Sequence, residues 1–110
     1  MHYINTMCGI WSILNKDPNT VWEGYGDALE AGKPRGPEQT DTCSTNQALH
    51  VFHRLAINGL DDSSMMPLDV DDCVLICNGE IYNYKELCEL LNVTPQTKND
   101  CEIIIHLYRK

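Results

Sequence analysis

The chain has 110 residues, enough for one domain or part of one. Its net charge of −8 and pI near 4.7 argue against nucleic acid or an anionic membrane as a partner, because both demand a basic face. No apolar run reaches membrane-spanning length, and the start MHYINTM lacks the basic and apolar stretches of a signal peptide.

Six cysteines without a signal peptide read as cytosolic thiols rather than a secreted disulfide framework. Cys77, Cys88 and Cys101 fall in apolar-periodic segments, where a thiol is usually core filler. Residues 8–14, CGIWSIL, predict a buried strand ended by the turn cluster Asn15–Asn19 around Pro18. Thr20 with Glu23 has the spacing of a capping box. Val21, Trp22, Tyr25 and Leu29 then recur at helical spacing, which predicts a helix over 21–31 stopped by Gly32 and weakened by Gly24 and Gly26. Residues 33–46 read as loop by composition. Leu49 to Ile57 alternates as a strand, and Asn58 to Pro67 is a polar connection. Val74 to Cys77 predicts a second short strand, stopped by Asn78-Gly79. Asn83 with Glu86 and Asn99 with Glu102 repeat the capping-box spacing. The first opens a short helix with Leu87, Leu90 and Leu91 on one face. The second opens a helix through Ile103, Ile104, Leu107 and Tyr108 to the chain end. Strand, helix, strands, helix, helix is the order of a mixed α/β or α+β chain.

Several residues have a chemical reading beside a structural one. Cys8 follows Met7; as a first residue it would carry its own general base, since an α-amino group titrates near pH 8 and can take the thiol proton. Taken alone, a Cys beside Ile-Trp in a strand is more simply an inert core thiol. Arg54 lies amid Phe52-His53 and Leu55-Ala56-Ile57, so it needs an anion. A salt bridge or a substrate carboxylate held bidentately both serve. Asn78-Gly79-Glu80 is either an ordinary turn or a side-chain amide and backbone N–H aimed at a developing oxyanion. Asp100 suits the positive end of the last helix, or an ammonium group. A zinc set of Cys73, Cys77, His50 and His53 is disfavoured by strand geometry, where residues three apart point to opposite faces and residues four apart sit too far to chelate easily. No metal is therefore expected.

The motifs gain weight in series. The chain shows Met7-Cys8-Gly9-Ile10-Trp11, then Arg35-Gly36-Pro37-Glu38, then Phe52-His53-Arg54-Leu55-Ala56-Ile57. Cys77-Asn78-Gly79-Glu80-Ile81-Tyr82-Asn83-Tyr84 follows, and Asp100-Cys101-Glu102-Ile103-Ile104 closes the run. This series, from Met7 to the end, closely resembles the class II glutamine amidotransferase domain of glutamine-hydrolysing asparagine synthetases. It departs from the family pattern at Glu38, where Asp is usual, and at Asn99, where Ser or Thr is usual.

The resemblance implies an α+β fold, the αββα sandwich of N-terminal-nucleophile enzymes, of which this chain holds the first part. It implies a partial amidotransferase domain over 8–110, an extension or removed leader over 1–7, and no synthetase domain. Cys8, once N-terminal, would attack the side-chain amide of L-glutamine and form a thioester, releasing ammonia and then glutamate. Asn78 and Gly79 would form the oxyanion hole. Arg54 would hold the α-carboxylate and Asp100 the α-ammonium, helped by Glu80 and the backbone of Ile57 and Asn58. No cofactor is expected in this domain; ATP and Mg would belong to a synthetase domain or subunit, which is the expected partner. The alternatives are a catalytically inactive glutamine-binding or regulatory module, or a non-functional truncated fragment.

Overall fold

The computed structural model describes residues 8–15, 25–55 and 65–110. The protein is α+β. Strand β1, Gly9–Leu14, is followed by helix α1, Gly26–Ala31, and a 3-10 turn, Lys33–Arg35. Strands β2, Gln39–Ser44, and β3, Ala48–Arg54, come next, and then a short hairpin of β4, Leu68–Val70, and β5, Cys73–Leu75. Helix α2 spans Tyr84–Leu91, and a 3-10 turn, Asp100–Glu102, leads into helix α3, Ile103–Arg109.

The first three strands form an antiparallel sheet in the order β1-β3-β2. Gly9 opposes His53, Ile10 opposes Phe52 and Trp11 opposes Val51. Cross-strand partners point the same way, so Trp11, Val51 and His53 share one face while Ile10, Phe52 and Arg54 share the other. On the first face, Trp11 meets Tyr25 with ring centroids 5.9 Å apart, and His53 Nε2 lies 2.9 Å from the Leu29 carbonyl oxygen of α1. On the second face, Phe52 joins Met66, Leu68, Val70, Cys101 and Ile105 in one buried cluster. The hairpin and α3 therefore cover the end of the sheet where Cys8 and Arg54 lie. Farther along that face, Ile10 and Leu14 stay 49% and 68% exposed.

The sequence pattern finds β1, β3, α2 and α3. The loop expected over 33–46 is wrong: Gln39–Ser44 pairs with β3 along its length, from Gln39 opposite Arg54 to Ser44 opposite Leu49. An edge strand with both faces largely exposed needs no apolar alternation, so QTDTCS looks like loop. The strand expected at 74–77 is shifted to Cys73–Leu75, and its partner β4 lies at 68–70, just past the expected polar connection, where no element was expected. Asp71 and Asp72 turn the hairpin with φ of 50° and 62°, the left-handed pair that closes a tight turn. The helix expected over 21–31 is described from Gly26; its start, the Thr20–Glu23 box and the cluster at 16–19 lie outside the described residues.

The capping boxes fare differently. At α2 the Asn83 side chain makes no cap, and the helix closes instead at Asn92, whose left-handed φ of 54° aims its N–H at the Cys88 and Glu89 carbonyls. Before α3, Asn99 Oδ1 accepts from Cys101 N at 2.9 Å, as a cap should. Its expected partner Glu102 turns the other way. One carboxylate oxygen accepts from Gln96 N at 2.8 Å and His106 Nε2 at 2.9 Å. The other accepts from Thr97 N and Thr97 Oγ1, both at 2.6 Å. This buried anion ties the 93–99 loop to α3.

Candidate active site

Cys8 sits one step before β1. Continuing the β1–β3 register by one residue sets it opposite Arg54, at the end of β3. Its sulfur lies 3.3 Å from Leu55 N and 3.7 Å from Leu55 O, so the main chain just after Arg54 holds the thiol in place. Its carbonyl oxygen receives Asn78 Nδ2 at 3.0 Å and Arg35 Nε at 3.4 Å. Four of the motif segments thus meet around one residue, although 27, 47 and 70 positions separate Arg35, Leu55 and Asn78 from Cys8.

Gly36 explains the Arg-Gly-Pro motif physically. A Cβ placed there would lie 2.0 Å from the His53 carbonyl oxygen and 2.3 Å from its carbon. Only glycine lets this loop lie on the end of β3. Glu38 N then donates to Arg54 O at 3.3 Å, which starts the β2–β3 ladder. The motif therefore fixes where Arg35 and Arg54 sit.

Gly79 is a different case. A Cβ there would meet, among the described residues, only Cys77 Sγ at an ordinary 3.8 Å. Internal packing gives no reason for a glycine, while approach of another molecule to bare backbone does. Its carbonyl oxygen accepts from Cys101 Sγ at 3.4 Å. Asp100 Oδ2 accepts from Ile81 N, so this carboxylate ties the segment after Glu80 to the start of the last helical run. Glu80 accepts from the Tyr82 hydroxyl, and that bond pushes the exposed Tyr82 phenol above its ordinary range.

The structure thus brings together Cys8, Arg54, Asn78 and Gly79, with Asp100 and Glu80 anchored to the same segment. Ile57 and Asn58 lie outside the described residues. Sequence reasoning assigned no role to Arg35 or to Leu55 N, and it read Cys77 and Cys101 as core filler; both pack at the central cluster. The Arg35 signal was its place in a quoted motif; Leu55 acts through backbone, which leaves no mark in side-chain chemistry. The histidines weighed for zinc are engaged elsewhere: His50 Nδ1 lies 2.8 Å from Ser12 Oγ and His53 Nδ1 2.8 Å from Thr40 Oγ1, on opposite sheet faces.

A family model described as a glutamine amidotransferase domain matches residues 7–110. The chain is 34% identical over 113 residues to asparagine synthetase [glutamine-hydrolyzing] 2 of Bacillus subtilis, covering 94% of this chain and 15% of that protein. It is 36% identical over 119 residues to a probable asparagine synthetase of Schizosaccharomyces pombe, covering 94% and 20%. The Bos taurus asparagine synthetase is 37% identical over 113 residues, covering 94% and 19%. The chain therefore spans a fifth or less of the length of these three relatives. Among the described residues no helix is long and apolar enough to cross a membrane.

Proposed function

Since the chain belongs to the glutamine amidotransferase domain family, we propose that it is the glutaminase part of a glutamine-hydrolysing asparagine synthetase. Its substrate is L-glutamine and its products are glutamate and ammonia. The observation that carries this reading is the convergence on Cys8: the thiol held at Leu55 N, and the Asn78 amide 3.0 Å from the Cys8 carbonyl.

In this mechanism Cys8 is N-terminal, and its α-amine takes the thiol proton as sulfur attacks the carboxamide carbon. The oxyanion forms beside the Asn78 amide and the Gly79 N–H, donors fixed before the charge develops. The amine then passes its proton to the departing ammonia. Water, activated by the same amine, hydrolyses the thioester to glutamate. Arg54 holds the α-carboxylate, while the second oxygen of Asp100, with Glu80 and the backbone at Ile57 and Asn58, holds the α-ammonium. One cation and one anion set the two ends of an amino acid, which selects glutamine over a simple amide. This chemistry calls for no cofactor; ATP and Mg serve a synthetase partner, as domain or subunit. The fold is that of the αββα sandwich of N-terminal-nucleophile enzymes, of which residues 8–110 form part, with residues 1–7 an extension or a removed leader. The exposed Ile10 and Leu14 support further sheet cover on that face. Six free thiols suit a cytoplasmic setting.

The test is an acid-quenched incubation with glutamine, followed by mass analysis of the Cys8 peptide. A γ-glutamyl adduct on Cys8 is expected; glutamate formation without that adduct, or neither glutamate nor adduct, would contradict the assignment.

A further inference from the structure

The proposed oxyanion hole lies on residues 76–81, which belong to no strand or helix: β5 ends at Leu75 and α2 begins at Tyr84. Gly79 adds a residue with no side chain to hold its backbone. Donors that stabilise a developing charge must be fixed before it forms, so this segment has to be held from outside. Three alternate residues are held by their backbone. Cys77 N donates to Met66 Sδ at 3.0 Å, Gly79 O accepts from Cys101 Sγ at 3.4 Å, and Ile81 N donates to Asp100 Oδ2. The first two bonds bracket the peptide between Asn78 and Gly79, whose N–H is the proposed oxyanion donor. Asp100 has its own role at the α-ammonium. Nothing in the glutaminase mechanism uses Met66 or Cys101.

From this bracket we infer that Met66 and Cys101 are positioning residues for the oxyanion hole, their sulfurs holding the backbone on either side of Asn78-Gly79. The effect on rate rests on the glutaminase function proposed above. Both residues are fixed points, 2% and 1% exposed, in the buried cluster with Phe52, Leu68 and Ile105. Apolar packing explains their burial but not a main-chain N–H aimed at a thioether. Sulfur is a weak acceptor, yet away from water an unmet N–H is costly, so the contact resists displacement. Met66 acts one residue before Asn78, whose Nδ2 reaches Cys8 O at 3.0 Å. Cys101 acts as a donor. Burial, its largest cause, pushes this thiol up to about 12, so the S–H persists through the neutral range. Neither sulfur touches the reacting atoms.

Positioning separates from packing because the two demands rank substitutions in opposite order. Leucine suits an apolar site nearly as well as methionine but accepts no hydrogen bond. Glutamine has methionine's length and a carbonyl acceptor, but it buries an amide. At position 101, alanine suits the core and donates nothing, whereas serine keeps a donor. Met66→Leu and Cys101→Ala should each lower kcat by about tenfold with KM little changed, less than removal of an oxyanion donor does. Met66→Gln and Cys101→Ser should be the less stable member of each pair and yet the faster. Met65→Leu changes a second methionine of the same cluster and should keep the parent's kcat.

The experiment measures kcat and KM on chains beginning at Cys8, urea denaturation of each variant, and amide hydrogen exchange of Cys77 by NMR on the full chain. Exchange at Cys77 should quicken by about tenfold in Met66→Leu and stay slow in Met65→Leu and Met66→Gln. Parental kcat in Met66→Leu and Cys101→Ala overturns the inference, as do glutamine and serine variants slower than their leucine and alanine counterparts. If Met66→Gln fails to fold, Cys77 exchange in Met66→Leu against Met65→Leu decides, and equal rates overturn the bracket. Absence of glutamine hydrolysis by the parent would fault the proposed function instead, while the exchange rates still decide whether Met66 holds the segment.

Discussion

Replacing Gly36 with alanine would place a carbon 2.0 Å from the His53 carbonyl oxygen. Real Cβ atoms essentially never come closer than 3.0 Å to such an atom, so the loop or the end of β3 must retreat by at least about 1 Å. The obstacle is main chain, not the tip of a flexible side chain, so relaxation is costly. Overpacking of this kind costs about 1–3 kcal/mol, and the upper end applies here. The displaced segment includes Arg54 and Leu55, the latter holding the Cys8 sulfur at 3.3 Å. A shift of about 1 Å there should lower kcat/KM for glutamine by roughly 100-fold. Urea denaturation and a coupled glutamate assay on a chain beginning at Cys8 read both effects. Gly26→Ala is the control, because its added Cβ at the start of α1 meets none of the described residues within 4 Å; it should be neutral or gain up to about 1 kcal/mol. A Gly36→Ala protein within about 0.5 kcal/mol and twofold of the parent would refute the argument that close approach sets this motif.

Asn78→Ala should lower kcat by about 100- to 1,000-fold with little change in KM, as loss of one oxyanion donor does; an effect confined to KM would move Asn78 from catalysis to binding. Glu102, 1% exposed, accepts four hydrogen bonds, so Glu102→Ala should destabilise by roughly 3 kcal/mol or more, read by urea denaturation. Its pH dependence has a definite sign. Burial raises the Glu102 pKa, but bonds from Thr97, Gln96 and His106 outweigh it and hold the carboxyl below its ordinary value. That stabilisation is complete above the unfolded glutamate pKa of about 4.3 and is lost as pH falls through the lower folded value. The stability gap between the parent and Glu102→Gln should shrink on acidification; a gap that widens would contradict the assignment.

How far the site could be read in advance depended on how each residue acts. The roles proposed for Cys8, Arg54, Asn78, Gly79 and Asp100 rest on side chains or a glycine in recognisable order, so the series of motifs pointed to them. β1 was legible because buried or half-buried residues alternate with exposed ones, and β3 because it is an apolar run with no exposed residue. β2 was not, because an edge strand holds its place through backbone ladder bonds that composition does not encode. β4 had a faint signal in Leu68 and Val70 flanking Asp69, buried, exposed, buried, but three residues are too few to separate from loop. The Asn99–Glu102 spacing was half right for a physical reason. Asn99 caps as expected, whereas the loop before it offers Glu102 two backbone donors and a hydroxyl, better partners than the single N–H of the cap residue.

Whether Cys8 is an N-terminal nucleophile is decided by glutamate release from a chain that begins at Cys8, set against its Cys8→Ala counterpart. Glutamine hydrolysis by the first and a fall of at least about 1,000-fold in the second are expected, as removal of a nucleophile produces. Equal rates in the two proteins, or no glutamate from the chain beginning at Cys8, would contradict it.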